Sequence, residues 1–297
     1  MALSAMRPGA PASRLRALHG HLARDAAGGR RRLPLRACTH RASTSGASGS
    51  SGDSPAADDD DTPCVVLTND DGPPDAAVSP YVGVLAPLLA GWVGQQRLLT
   101  CLPSQQQSWR GKAHFPYEEL HRLPYPDPDA PPHWATVSGS PAAAANFALT
   151  TLGPTHFPQG SRPFVVSGPN YGDNAGRSYM LSSGTLGAAM EAAILGYRSV
   201  AVSFQPSEQV RVTEGLSHSA EEIETACRVS VRLLKRLWAE WPAGVDLFNV
   251  NVPLGRLERY RDGNNVLITT AAIDSFGGLF HEVEGTDGQR FSFADRR

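Results

Sequence analysis

Cys64-Val65-Val66-Leu67-Thr68-Asn69-Asp70-Asp71-Gly72 is the stretch from which the rest of this chain can be read. Val65 to Thr68 are four β-favouring residues in succession and predict a buried strand. An uninterrupted run of this kind suits a parallel sheet covered by helices on both faces. Such sheets present their chemistry at the carboxyl ends of the strands. Here the strand end carries an amide, two neighbouring carboxylates and a glycine. Along a regular strand Asp70 and Asp71 point to opposite faces, so they converge only if the backbone turns at once. Gly72 permits that turn without a Cβ clash. Two ionised carboxylates a few ångströms apart repel, so either one takes up a proton or a cation sits between them. All-oxygen groups suit a hard cation such as Mg²⁺ or Mn²⁺. The plain structural alternative is an Asx-rich turn that caps the next helix.

Composition narrows the classes. The 297 residues are enough for one large domain or two small ones. A formal net charge of -2 gives no electrostatic case for a nucleic-acid duplex as partner. Cys38, Cys64, Cys101 and Cys227 lie far apart and form no C-x-x-C pair, so neither a zinc knuckle nor a disulfide framework is indicated. No apolar run approaches the roughly 20 residues that span a bilayer, and no membrane partner is expected.

Residues 1 to about 45 are rich in Arg, Ala and Ser, with Asp25 the only acid among them. That composition resembles a chloroplast or mitochondrial transit peptide; the alternative is a basic tail on a cytoplasmic protein. Residues 43 to 63 continue with Ser, Gly and Ala and then Asp58-Asp59-Asp60-Asp61. They cannot bury apolar surface. Residues 1–62 are therefore read as disordered transit peptide and linker, and 63–297 as the folded domain.

Within that domain, apolar patterning predicts a helix over Ser79–Leu89 that buries Val82, Leu85, Leu88 and Leu89, with Pro80 in its first turn. A second strand spans Arg97–Leu102 and runs into the polar stretch 103–112. Residues 115–134, rich in proline, predict an irregular excursion or short edge strands. Ser140-Pro141 is a helix start, with Ser as N-cap, opening a helix to about Leu152. Pro163–Ser167 is a third strand that delivers the glycine-rich loop 167–176. Ser182-Ser183-Gly184-Thr185 opens the next helix. Its hydroxyls and free N–H groups make either an anion cradle or an ordinary cap. Arg198–Phe204 is a fourth strand. Ser219 with Glu222 forms a capping box for a helix to about Trp241 that buries Ile223, Cys227, Leu234, Leu237 and Trp241. Val245–Val252 and Val266–Ala272 are a fifth and a sixth strand, and no further element is expected after Asp274. The alternation of strands and helices from 64 to 252 predicts an α/β fold with a mainly parallel sheet.

Taken in order, four segments resemble the SurE family: Thr68-Asn69-Asp70-Asp71-Gly72; Pro103-x4-Ser108; Ser167-Gly168-Pro169-Asn170-x3-Asn174-x-Gly176; and Ser183-Gly184-Thr185-x-Gly187-Ala188-Ala189-Met190-Glu191. Phe248-Asn249-Val250-Asn251-Val252-Pro253 is similar to the family's downstream strand, and Gln107 to Ala113 is similar to its eukaryotic branch. The resemblance covers about residues 64 to 255. It implies a three-layer α/β/α sandwich with a Rossmann-like sheet. It also implies a divalent-metal-dependent phosphomonoesterase, of the acid phosphatase or 5'(3')-nucleotidase type, acting on nucleoside monophosphates or other small phosphomonoesters. By the same transfer, one divalent cation, Mg²⁺ or Mn²⁺, is held by Asp70, Asp71, Ser108 and Asn170. Phosphate falls to Asn174, Ser183, Gly184 and Thr185, with Asp70, Asp71 and Asn174 as catalytic residues. The attacking nucleophile stays open between a water and one of the aspartates.

This chain departs from the family pattern in three places. Ser104 stands where bacterial members carry an acid, and Gly139-Ser140-Pro141 is followed by alanines where polar residues are frequent. The chain also stops at Arg297, short of a further strand and closing segment. The resemblance implies a homodimer or homotetramer, with the C-terminal extension read as shortened. The rival within the same fold is a nucleotide- or phosphate-binding module without strong catalysis. A haloacid-dehalogenase type phosphatase needs Asp-x-Asp, and a dinucleotide-binding oxidoreductase needs G-x-G-x-x-G after the first strand. Neither motif is at this strand end.

Overall fold

A computed structural model describes residues 62–75, 79–206, 218–254, 266–284 and 290–293. The chain divides into two units, Met1–Asp60 with Leu267–Thr269, and Asp61–Val266 with Thr270–Arg297. Of the first, only Leu267–Thr269 is described, and it holds no helix or strand. The expected leader and linker thus lie outside the described residues, apart from Thr62. The second unit holds the sheet and its helices.

Seven strands form one sheet: β1 (Val65–Thr68), β2 (Leu98–Pro103), β3 (Arg122–Leu123), β4 (Trp134–Val137), β5 (Phe164–Tyr171), β6 (Ser199–Gln205) and β7 (Leu247–Pro253). Their order is β3-β4-β2-β1-β5-β6-β7. Every pairing is parallel except that of the two-residue β3 against β4. β1 lies between β2 and β5, and its four residues are buried. From β1 the chain builds outward to one side through β2 and β4, and then to the other through β5, β6 and β7. The strand order therefore reverses between β1 and β5, and the crevice beyond their carboxyl ends is where open α/β sheets bind ligands.

Helices cover both faces. α1 (Tyr81–Val93) and the long α5 (Ala220–Ala239) pack on the face that carries Val65, Leu67, Val166 and Val200. α2 (Pro141–Phe147) packs on the opposite face, against Val66, Leu99, Cys101 and Val165. α4 (Gly184–Ile194), which follows the short α3 (Arg177–Ser182), covers that same face through Leu186, Ala189 and Ala192. Alternate β1 residues thus feed opposite layers, as the strand's period of two requires. This is the expected three-layer sandwich. α2 and α4 approach closely because alanines line them: Ala142, Ala144, Ala145, Ala188, Ala189 and Ala192 are buried.

Local signals mark the helix starts well. The Ser140 hydroxyl accepts from the Ala143 N–H with Pro141 at the first helical position. Both halves of the Ser219–Glu222 capping box are formed. Pro80 occupies the N-cap of α1 rather than its first turn, and α1 runs past Pro87 to Val93. α2 ends at Phe147 but the chain stays helical, through a wider π-type stretch Ala148–Leu152 and a last turn Gly153–His156.

Several expectations need correction. The proline-rich stretch 115–134 holds the short edge strand β3, as one of its two readings expects. Its last residue, Trp134, opens β4, which extends past it to Val137 as an inner strand that the sequence does not mark. β5 does not stop at Ser167: it continues through a cis Gly168–Pro169 bond, with a register shift against β6, to Tyr171. The expected sixth strand over Val266–Ala272 is not formed among the described residues, apart from a lone bridge between Ala272 and Gly176. Val266, Leu267 and Ile268 are exposed there. β-Branched composition favours a pleated, half-buried surface, and without a sheet neighbour it does not make a strand. In its place an antiparallel pair, β8 (Phe280–Glu282) with β9 (Phe291–Phe293), forms in the tail. Cys64, Cys101 and Cys227 are buried free thiols, and burial pushes the last two up to about 12. No described helix is long and apolar enough to cross a membrane.

Candidate active site

The turn after β1 is built by its own residues. The Asn69 side chain donates to the Gly72 carbonyl at 2.7 Å and accepts from the Gly72 N–H at 3.0 Å, closing a small ring. Gly72 sits at φ +87°, and a Cβ there would lie 3.1 Å from the Gln105 backbone. The turn therefore needs both the amide and the glycine. Its effect is to turn Asp70 inward while the chain reverses.

Asp70 is 2% exposed. Its Oδ1 accepts from the Thr185 hydroxyl at 2.7 Å, which joins the end of β1 to the first turn of α4. Gly184 lies against it: a Cβ there would be 2.8 Å from the Asp70 Cβ and 3.0 Å from Oδ2. The Asp70 carbonyl accepts from the Gln107 N–H, at 2.6 Å, which draws in the loop after β2. Asp71, on the same turn, accepts from the Ser79 hydroxyl at 2.6 Å through Oδ2.

One small pocket is lined by Asp70, Ser108, Trp109, Asn170, Asn174, Tyr179, Ser182 and Ser183. Five expected site residues, spread over more than a hundred positions of sequence, are brought together there. Thr185 and Gly184 stand directly behind Asp70. Asp71 neighbours the pocket on the β1 turn and is not part of its wall. Ser183 is the N-cap of α4, its hydroxyl accepting from the Leu186 N–H at 3.2 Å. Ser108 Oγ accepts from the Gln106 side chain at 2.7 Å, and Asn170 donates to the Gly172 carbonyl at 2.9 Å.

Asn174 is the best fixed of the set. Its N–H donates to the Asn251 side chain at 2.7 Å and its carbonyl accepts from the Asn249 side chain at 2.7 Å. Its own amide donates to the Ser203 hydroxyl at 2.8 Å. Asn249 and Asn251 sit two apart on β7, hence on one face. The sequence alone assigns neither of them a task. The signal is nonetheless there, in the alternating Asn-Val-Asn of a strand that is otherwise apolar.

Trp109 and Tyr179 also escape a reading of the sequence. Trp109 is held at φ +65°, and its ring packs against Phe276 at 4.9 Å, Phe293 at 5.2 Å and Tyr179 at 6.5 Å between centroids. Asp274 fixes the start of α3, accepting from the Ser178 N–H at 2.8 Å. The tail thus supports one wall of the pocket, although nothing in its glycine-rich sequence marks it.

In chemical terms the pocket offers a buried carboxylate, a hydroxyl and two amides opposite a capped helix N-terminus. Among the described residues no three His, Cys, Asp or Glu side chains cluster as a metal group. A cation at this place would therefore be held by mixed carboxylate, hydroxyl and amide oxygens, a donor set that fits a hard ion.

Residues 65–275 match the model of the family described as survival protein SurE. The chain is 35% identical over 233 residues to a 5'-nucleotidase SurE of an Anaeromyxobacter species, covering 75% of this chain and 79% of that protein. It is 30% identical over 226 residues to a probable tubulin–tyrosine ligase of Saccharomyces cerevisiae. That match covers 64% of this chain but 28% of the yeast protein's length. Among solved structures, the SurE protein from Aquifex aeolicus superposes with a TM-score of 0.52 at 27% identity, covering 66% of this chain and 68% of that one. With the strand order, the Asp70 turn and the capped α4 already in place, the match across 65–275 settles the family: the chain belongs to the SurE family.

Proposed function

We propose that this chain is a divalent-metal-dependent phosphomonoesterase that acts on nucleoside monophosphates or other small phosphomonoesters. The observation that carries the reading is the link between buried Asp70 and Thr185, which sets a carboxylate against the N-terminus of α4. The two sides suit a phosphate monoester: a carboxylate that can hold a charge-neutralising cation on one side and N–H or hydroxyl donors on the other. The relatives named 5'-nucleotidase support the same reading.

Asp70, Asp71, Ser108 and Asn170 are the residues proposed to hold Mg²⁺ or Mn²⁺. When bound, such an ion offsets phosphate charge and acidifies water. The remaining work belongs to the chain. The Gly184 and Thr185 N–H groups at the start of α4, with the Ser183 hydroxyl, bind the phosphate oxygens, while the Thr185 hydroxyl donates its hydrogen bond to Asp70. Asn174 is held by Asn249, Asn251 and Ser203, so it meets the substrate at a fixed place and needs little reorganisation during transfer. Asn69 and Gly72 keep the Asp70 carboxylate from swinging out of the crevice.

The test is phosphate release from a panel of nucleoside and sugar monophosphates, with Mg²⁺, Mn²⁺ or a chelator. Release from at least one nucleoside monophosphate, lost on chelation and restored by added metal, is expected. A chain that binds these compounds but releases no phosphate under any metal is a binding module, and the enzymatic reading falls.

A further inference from the structure

Glu191 lies on α4 two turns beyond the pocket and is 5% exposed, on a helix whose other residues are apolar or small apart from Thr185. A carboxylate buried there is costly unless donors surround it. Its Oε2 meets Lys112 Nζ at 2.6 Å and His114 Nε2 at 3.1 Å, and its Oε1 accepts from the Asn146 amide at 2.7 Å. Burial alone pushes this carboxyl up, but the bonds from Lys112, Asn146 and His114 outweigh it and hold it below the ordinary carboxylate range. Lys112 and His114 belong to the loop after β2 that carries Ser108 and Trp109. Asn146 belongs to α2.

The same loop touches α4 again one turn nearer the pocket. A Cβ on Gly187 would lie 2.0 Å from the Gly111 carbonyl oxygen, so only glycine lets the loop backbone rest on the helix. Beside it the Gly111 N–H donates at 2.9 Å to the carbonyl of Ser182, the last residue of α3. On its other side the loop is tied by the Gln107 N–H to the Asp70 carbonyl. Ser108 and Trp109, both in the pocket wall, are thus strung between a tie to Asp70 and a tie to α4.

We infer that Glu191 is a positioning residue: through Lys112 and His114 it clamps the 104–114 loop onto α4 and so holds Ser108 and Trp109 at the pocket. It touches no pocket atom itself and acts only through the loop. Only the kinetic consequence of this clamp rests on the phosphomonoesterase reading.

The experiment uses the full chain and two variants, Glu191→Gln and Lys112→Met, with Lys112→Arg as the conservative control. Amide hydrogen exchange read by mass spectrometry should quicken by about tenfold or more across 104–114 in both variants, while β1 and α5 keep their protection. In phosphate release from a nucleoside monophosphate, kcat/KM should fall by about tenfold or more in both variants, and Lys112→Arg should restore it to near the wild-type value. If Glu191→Gln does not fold, Lys112→Met, whose side chain lies at the partly exposed rim, carries the test alone. Unchanged exchange at 104–114, or an equal rise in β1 and α5, overturns the inference. A wild-type chain that releases no phosphate refutes the proposed activity, and the exchange measurement still decides the clamp.

Discussion

At the level of single residues, the Asp70–Thr185 bond joins the two halves of the site. Thr185 is fully buried, and its hydroxyl reaches a carboxylate that is itself 2% exposed. Thr185→Val keeps the shape and removes the donor, so the carboxylate loses one of the groups that compensate its burial. The expected cost is about 1–3 kcal/mol in a urea melt, with reduced phosphate release. An unchanged midpoint would show that this bond contributes nothing to holding β1 on α4. Most of these residues are legible in the sequence because each sits at a strand end or a helix start, where type and position together have meaning. Asn249 and Asn251 are less so: their work is on the backbone of Asn174, and a side chain that fixes another loop carries no local mark. Trp109 and Tyr179 depend on contacts with a tail that is distant in sequence. Such a contact has no periodicity.

Among the elements, legibility follows burial. β1, β2 and β6 are apolar for most of their length and are read within a residue or two, and the Ser140 and Ser219 N-caps form as expected because a cap acts through its own next turn. The Ser219 box provides a measurable case. Its hydroxyl accepts from the Glu222 N–H at 3.2 Å while Glu222 accepts from the Ser219 N–H at 2.9 Å. Ser219→Ala should lower stability by about 1 kcal/mol, within the range for lost N-caps, with activity unchanged because no residue of α5 lines the pocket. The errors fall where local preference and tertiary pairing disagree. Val266–Ala272 has β-branched composition and no strand to pair with among the described residues. β8 and β9 have three residues each and lie largely exposed, too short and too open to show a pattern. The expected end of β5 at Ser167 follows from Gly168-Pro169, residues that ordinarily end a strand and here are accommodated by a register shift against β6.

Across the whole molecule, the sheet's reversal between β1 and β5 brings Asp70, Ser108, Asn170, Asn174 and Ser183 to one crevice, and so one motif at each of four distant points can reveal it. The composition of residues 1–61, rich in Arg, Ser and Asp, supplies little to bury. Deleting residues 1–60 should leave the melting temperature and phosphate release of the remaining chain nearly unchanged; a collapse of either would mean that the leader belongs to the fold. Phosphate release itself should depend on a cation held by the Asp70–Asp71 turn. Asp71→Asn keeps size and removes one charge, so it isolates the electrostatic part of that dependence. The decisive experiment follows phosphate release from a nucleoside monophosphate by wild type and Asp71→Asn across a Mn²⁺ titration, with a chelator control. Wild-type release should vanish with chelator, and the variant should lose most turnover or need far more metal. Equal release by both proteins, with chelator present, would refute both the metal dependence and the role of this turn.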